Sequence, residues 1–394
     1  MKIHRSNANA VADIIVKVLD QKQVLDRVIQ TAFSKNPKWG KRDRSFIAET
    51  AYEICRWKRA LEFVADHDSI SAICAAQWLR MGFQVPDWWQ HPGCSPDMMC
   101  ERESQLTEQP RAIRESIPDW LDAHGEEELG PQWEIEIRAL NRRAPVYLRA
   151  NRLLNTRDEA REWLLSLGVQ TDPVAGVPDA LVLPPGSLLP KSVLASGRVE
   201  IQDAGSQLVA PLLDALPGER IIDSCAGAGG KTLQLAAMMK NFGRIDALDV
   251  SPDKLKELRR RASRAGADII DAALWGTSKL TNLQNSADRL LVDAPCSGLG
   301  TLRRQPDIKW RLSMQKLDQL HQTQRQILQE QQAMVKPGGR LVYATCSILP
   351  SENRRSIDPL LDTGHFQLLS EHQISPAETG FDGFYAAVLL KNQV

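Results

Sequence analysis

Apolar residues recur at helical spacing through the first part of the chain, then give way to short apolar runs bounded by turn residues. Between Ala8 and Asp66, Val11, Ile14, Ile15, Val18 and Leu19, followed by Phe46, Ile47, Tyr52 and Ile54, fall on the faces of helices, which predicts a small all-helical module. From Ser69 to Gln132 the pattern is broken by Pro86, Pro92, Pro96, Pro110 and Pro118, so short helices and a connection are expected there. Around Pro145 the pattern changes. VYLRANRL predicts a strand, TRDEAREWLLSLG a helix from N-cap Thr156 to Gly168, and ALVLPPG a second strand, together a small α/β insert.

The second half alternates short apolar strands with helices. RVEIQDAGSQLVAPLLDAL, from Arg198, predicts a strand, a turn and a helix. RIID (Arg220 to Asp223), RIDALDV (Arg244 to Val250), ADRLLV (Ala287 to Val292, delivering Asp293) and GRLVYA (Gly339 to Ala344) read as parallel strands buried on both faces. The stretch from Ser313 to Val335 places Leu317, Leu320, Gln324, Ile327 and Leu328 on one helical face, which would cover the sheet. HFQLLSE and DGFYAAVLL predict an antiparallel edge. The expected fold class is α/β, a Rossmann-like, mostly parallel sheet with helices on both faces, preceded by the small α/β segment and the helical domain. The expected boundaries are 1–68, 69–140, 141–197 and 198–394.

Composition changes this picture little. The 394 residues leave room for two or three domains, and 43% hydrophobic with 25% charged residues is ordinary for a globular chain. No apolar run approaches the ~18 residues of a membrane span, and the N-terminal MKIHRSNANAVAD lacks a signal-peptide apolar core, so a cytoplasmic protein without a membrane partner is expected. Seven cysteines without framework spacing suit a reducing compartment. His91, Cys94 and Cys100 lack the second half-site of a zinc centre, so no metal is expected. Net charge is zero but unevenly spread: Glu101 to Glu136 holds eleven acids and three Arg, and Arg138 to Arg157 six Arg and no acid. With the basic run from Lys35 to Arg44, such clustering is what a local phosphate-tracking surface looks like, although a charge run is usually only a solvated face.

Candidate chemistry gathers at the strand ends. Cys296 follows Asp293 in DAPCSG, and Cys346 follows the Gly339 to Ala344 strand in TCS. Open α/β sheets bind ligands beyond the carboxyl ends of their strands, so both thiols can face one pocket. A lone cytosolic cysteine is usually a small buried hydrophobe; two at strand ends, in Pro/Ser/Thr/Gly loops, are harder to explain that way. The loop Cys225, Ala226, Gly227, Ala228, Gly229, Gly230 and Lys231 is not a P-loop, which needs a glycine where Cys225 stands, and its GxGG spacing is not the dinucleotide GxGxxG. S-adenosylmethionine fits better, because it has no phosphate and asks only for close backbone approach. Asp249, about twenty residues after the glycines, would accept from both ribose hydroxyls. Arg303, Arg304, Lys309 and Arg311, with Trp310 among them, suit phosphate contacts beside a base drawn out of its stack.

The wording of these stretches matches a known family. Pro295-Cys296-Ser297 followed by GxxRRxPDxKW (Gly300 to Trp310), with YATCSxxPxEN (Tyr343 to Asn353), resembles the Nol/Nop/Sun family of RNA cytosine-5 methyltransferases. Arg42 to Trp57, RDRxFxxExxYxxxRW, resembles the helical N-terminal domain that bacterial rRNA members share with the antitermination protein NusB. The insert with Asn151 to Leu153 is similar to the family's small RNA-recognition-like segment. The resemblance implies a class I methyltransferase domain and S-adenosylmethionine-dependent formation of 5-methylcytosine in RNA, with 16S ribosomal RNA as partner and a monomeric chain. It implies Cys346 as the attacking thiolate, Cys296 as the thiol assisting release, Asp293 at the ring nitrogen and against the cofactor, and Lys231 ordering the loop or lowering a thiol pKa. Two departures stand out: Ala228 replaces the Pro of the family's CAAPGGK, and the adenine contact falls to either Asp271, which comes early, or Trp275. Rival expectations are the same reaction on tRNA, or a non-catalytic RNA-binding ribosome-assembly factor. A bare scaffold would need none of Lys231, Asp293, Cys296 and Cys346.

Overall fold

A computed structural model describes residues 3–187, 189–276 and 283–393. The chain divides into two compact units, one running through Arg142 and including Thr301–Lys316, the other comprising Arg143–Gly300 and Leu317–Val394. The chain therefore passes between the units three times.

The first unit is helical. Helices Arg5–Leu19, Leu25–Lys35, Lys41–Ala65 and Ile70–Arg80 turn Val11, Ile14, Ile15, Val18, Phe46, Ile47 and Ile54 inward, as their spacing predicts. The proline-broken region forms the short helices Pro96–Ser104, Arg111–Arg114, Asp119–Leu129 and Gln132–Leu140; Ser95 caps the first of these by accepting from the Met98 amide. Thr301–Lys316 belongs to this unit rather than to the sheet domain expected from residue 198 onward. The Arg56 guanidinium donates to the Arg303 carbonyl at 3.0 Å, and Lys309 Nζ donates to the Arg56 carbonyl at 2.7 Å and to Asn141 Oδ1 at 3.3 Å. Trp310 Nε1 donates to the Cys55 carbonyl, and the Leu25 amide to Asp307 Oδ2.

This corrects the expected phosphate contacts at Arg303 and Lys309. Lys309 is 1% exposed and Arg303 7%, Arg311 is paired with Asp307 at 2.8 Å, and Arg304 is half-buried. Arg303 and Lys309 thus brace the helical unit from inside. A basic run announces charge but not burial, and here Lys309 spends its ammonium on the Arg56 carbonyl and Asn141 while Arg311 is held by the Asp307 carboxylate. Burial, with Arg56 nearby, pushes the Lys309 pKa down to about 7. From there up to its unfolded value of about 10.4, the unfolded chain holds a proton that the folded chain lacks, so this group makes stability rise with pH by up to ~1.4 kcal/mol per unit. Lys309→Met should remove that rise between pH 7.5 and 9.5 in urea midpoints; parallel profiles for parent and variant would assign the group an ordinary pKa.

The second unit holds two sheets. Strands β1 (Tyr147–Ala150), β2 (Asp172–Pro173), β3 (Ala180–Val182) and β4 (Val199–Ile201) form an antiparallel sheet in the order β2-β3-β1-β4. The helix Arg157–Ser166 begins with the expected cap, Thr156 and Glu159 exchanging bonds in a capping box. Val199–Ile201, expected to open the catalytic domain, pairs with β1 of this small sheet instead. Asn151 Nδ2 ties that sheet to the larger layer by donating to the Ala265 carbonyl at 2.9 Å.

Among the described residues, seven strands make the larger sheet: β5 (Arg220–Asp223), β6 (Arg244–Asp249), β7 (Ile270–Leu274), β8 (Ala287–Asp293), β9 (Val335–Thr345), β10 (Phe366–Ile374) and β11 (Phe384–Lys391). Their order is β10-β11-β9-β8-β5-β6-β7. The five from β5 to β9 are parallel, and the β10–β11 hairpin closes one edge antiparallel, as the tail pattern predicts. The fold is the α/β Rossmann-like sheet expected from the alternating pattern. Chain direction across the sheet reverses beside β5, which puts the switch-point crevice at the carboxyl ends of β5, β6 and β8.

Candidate active site

Beyond β5 the chain turns through Ser224 to Gly229 into the helix Gly230–Met238. The Ser224 amide donates to the Leu291 carbonyl in β8 at 3.0 Å and the Ala226 amide to Leu248 in β6 at 2.8 Å, so the loop is stitched to both neighbours of β5. Gly229 has φ +88°, and a Cβ there would lie 2.8 Å from Leu258 Cγ, so backbone and packing both demand glycine. At Gly227 nothing lies within 4 Å of where a Cβ would project, and its amide donates to Asp249 Oδ2 at 2.9 Å. Asp249 Oδ1 accepts from the Ser251 amide at 2.8 Å. Two backbone donors thus aim a carboxylate that retains acceptor capacity for ligand hydroxyls. Next to it Val250 is 76% exposed, an apolar surface at a site otherwise made of backbone. An open glycine face, an oriented carboxylate and an exposed apolar residue fit a nucleoside with an amino-acid tail. Asp249→Ala should weaken S-adenosylmethionine by about 1 to 3 kcal/mol, the scale of hydrogen bonds to a charged group. Unchanged affinity by calorimetry in a folded variant would remove Asp249 from the site.

The loop is also braced from behind. Arg149 in β1 donates to the Gly230 carbonyl at 2.6 Å, and Arg261 donates to the Ala228 carbonyl at 2.8 Å while pairing with the buried Glu200 at 2.9 Å. The two adenine candidates separate. Asp271 lies in register with Asp246 and pairs with Arg244 at 3.2 Å, towards the amino end of the sheet. Trp275 follows β7 at the carboxyl end, its amide on the Asp249 carbonyl at 3.0 Å. Position favours Trp275.

The thiols meet on the other side of β5. Strands β8 and β9 are neighbours with Asp293 opposite Ala344, so Cys296 and Cys346 leave adjacent strand ends and their sulfurs lie 3.4 Å apart. The loops touch: the Gly300 amide donates to the Cys346 carbonyl at 3.0 Å, and a Cβ at Gly300 would collide with the Gly383 carbonyl oxygen at 2.2 Å. Lys231, near the start of its helix, reaches Asp293 Oδ2 at 2.6 Å. Burial works against the Lys231 charge, but Asp293, with Cys346 and Asp223 also near, offsets it and the pKa lies above that of an ordinary lysine. Asp223 is buried, accepts from Thr232 Oγ1 at 2.7 Å, and is pushed up to about 7 by burial, with the Asp293 charge adding to the effect. The S–H···S bond to Cys346, then burial, holds the Cys296 pKa well above that of a free thiol. Burial likewise pushes Cys225 up to about 12, which leaves that thiol unreactive.

Cys225 to Lys231, Asp249, Asp293, Cys296 and Cys346 thus gather at one end of the large sheet, whereas Arg303, Arg304, Lys309 and Arg311 belong to the helical unit. Sequence reasoning missed Asp223, Val250, Arg149 and Arg261, and gave no roles to Glu352 and Asn353. The last two lie inside the quoted motif, so a signal existed. Arg149 and Arg261 had none, since they meet the loop across 81 and 33 residues of chain.

Comparison with known proteins agrees with this architecture. The family model for 16S rRNA methyltransferase RsmB/F matches residues 210–390, and that for the RsmF/B-like ferredoxin-like domain matches residues 117–186. The ribosomal RNA small subunit methyltransferase B of Vibrio cholerae is 36% identical over 291 residues, covering 71% of this chain and 66% of that protein. That of Shewanella oneidensis is 34% identical over 307 residues, covering 73% and 69%. The chain thus spans about two thirds of the length of these relatives. Among solved structures, PH0851 matches with TM-score 0.81 at 24% identity over 99% of this chain and 100% of that one. A methyltransferase homolog protein from Pyrococcus horikoshii matches with TM-score 0.62 at 27% identity, over 73% and 99%. With its sheet order, its glycine cradle and these relatives, the chain belongs to the RsmB-like branch of the Nol/Nop/Sun family, the S-adenosylmethionine-dependent RNA methyltransferases.

Proposed function

We propose that this chain forms 5-methylcytosine in RNA, with 16S ribosomal RNA as substrate, through a covalent bond between Cys346 and carbon 6 of the base. The observation that carries this reading is the thiol pair, 3.4 Å apart, beside a Lys231–Asp293 ion pair at 2.6 Å. Carbon 5 of cytosine is too weak a nucleophile to be alkylated directly. Addition of the Cys346 thiolate to carbon 6, with the ring nitrogen taking a proton from solvent and donating it in a hydrogen bond to Asp293, shifts the ring electrons into an enamine, and carbon 5 can then attack. S-adenosylmethionine supplies the electrophilic methyl group. The carbon 5 proton then passes to Cys296, whose own proton has left to solvent; as the ring double bond re-forms, the carbon–sulfur bond breaks to return Cys346 as a thiolate and the ring nitrogen gives its proton back to solvent.

Charge placement supports this division of labour. Cys296 is held protonated by burial and by its contact with Cys346, and Lys231 adds positive charge to the same pocket. Once Cys346 is bonded to carbon, the S–H···S bond and the Cys346 charge no longer hold the Cys296 proton, which suits Cys296 to assist release. Bisulfite mapping of ribosomal and transfer RNA, from cells with and without the gene, tests the substrate. A missing 5-methylcytosine in 16S rRNA is the expected result; one missing from tRNA instead would move the same chemistry to that substrate, and no change in either would overturn the reading.

A further inference from the structure

Two consecutive residues with no role so far, Glu352 and Asn353, each hold one of the two cysteine loops. Glu352 is fully buried. Its Oε1 accepts from the Ser297 amide at 2.7 Å, its other oxygen accepts from the Ser297 hydroxyl, and its Oε1 also accepts from Gln324 Nε2 at 3.1 Å. Gln324 Nε2 in turn lies 3.0 Å from the Pro295 carbonyl, so the peptide groups on either side of Cys296 are both tied to Glu352, one directly and one through Gln324. Asn353 is 2% exposed and does the same for the other thiol. Thr345 Oγ1 donates to its Oδ1 at 2.6 Å, and its Nδ2 donates to the Ser347 carbonyl at 3.2 Å, gripping the residues on both sides of Cys346. The Ser297 and Ser347 hydroxyls, 3.3 Å apart, join the two grips, and Tyr343 Oη anchors the Glu352 carbonyl at 2.7 Å.

We propose that Glu352 and Asn353 are the positioning residues of the two-thiol reaction, Glu352 aiming Cys296 for release and Asn353 aiming Cys346 for attack, with one peptide unit fixing the distance between the sulfurs. A buried carboxylate is costly unless fully hydrogen-bonded, and three donors converge on this one, so the energy of holding it is spent on a single backbone geometry. The carboxylate also disfavours a second negative charge on Cys296, in line with a thiol that keeps its proton until Cys346 has reacted.

The inference rests on the covalent mechanism proposed above, and its test separates the two. In the full chain, Glu352→Ala should behave as a partial Cys296→Ala: covalent protein–RNA adduct rises at least fivefold over the parent while product release slows. Asn353→Ala should do the reverse, with adduct and methyl transfer falling together at least tenfold. Calorimetric S-adenosylmethionine affinity within twofold of the parent shows that each variant is folded. Should Glu352→Ala fail to fold, Glu352→Gln, which keeps an acceptor for the Ser297 amide, takes its place with a smaller rise. A readout without RNA is the rate at which diamide, by removing two hydrogens, joins Cys296 and Cys346 as a disulfide, followed by peptide mass. That rate should drop at least tenfold in either variant. If the single cysteine variants behave as the covalent mechanism requires but Glu352→Ala and Asn353→Ala show the same phenotype, or leave the diamide rate unchanged, the positioning roles are overturned and the mechanism stands. If the cysteine variants themselves fail to differ, the mechanism falls first.

Discussion

Cys346→Ala abolishes methyl transfer and all covalent attachment to RNA while leaving S-adenosylmethionine affinity nearly intact; this is the largest effect expected of any single substitution. Cys225 offers no substitute for the proposed nucleophile, because burial pushes its pKa up to about 12. Cys296→Ala has the opposite signature. It still attacks and methylates but releases slowly, leaving an adduct that survives denaturing electrophoresis. The double variant shows no adduct, since trapping requires the first thiol. An adduct accumulating in Cys346→Ala and none in Cys296→Ala would exchange the roles, and full activity in both would make the pair two buried cysteines.

Lys231→Met is expected to slow single-turnover methyl transfer by about 10²- to 10⁴-fold at saturating cofactor, the range for losing a group that manages charge in the transition state. The Lys231 side chain is 8% exposed and Asp293 29%, so the structural cost falls below the ~3 to 5 kcal/mol of breaking a fully buried pair. The chemical cost is larger. Without the ammonium, the Asp293 charge acts unopposed on Asp223, already pushed up to about 7, and raises it further. Activity of the variant should therefore depend more steeply on pH around neutrality than that of the parent. A folded Lys231→Met enzyme within threefold of the parent rate would limit Lys231 to ordering the loop.

Much of this arrangement is legible in the chain because its chemistry sits at strand ends inside short motifs. The apolar runs locate β5, β6, β8 and β9 within a residue or two at the site end, and a parallel sheet then forces Asp293, Cys296 and Cys346 towards one edge. What escapes is what depends on distant chain meeting at close range. Nothing near Val199 says that it pairs with Ala150 in the small sheet rather than starting the large one, and nothing near Arg149 points to Gly230. Lys309 is the sharpest example. Its neighbours Arg304 and Arg311 make it look solvated, and only the Arg56 carbonyl, some 250 residues earlier in the chain, together with Asn141, supplies the acceptors that bury it.

The three crossings of the chain between its units bear on how such a protein can change over evolutionary time. A terminal domain joined by one linker can be lost or exchanged in one genetic event. Here, deletion of everything through Arg142 would leave Thr301–Lys316 behind, with Trp310 stripped of its packing and Lys309 of the Arg56 carbonyl. The helical unit and the segment after Gly300 are therefore inherited as a pair, and a lineage that dispenses with the first must rewrite the second.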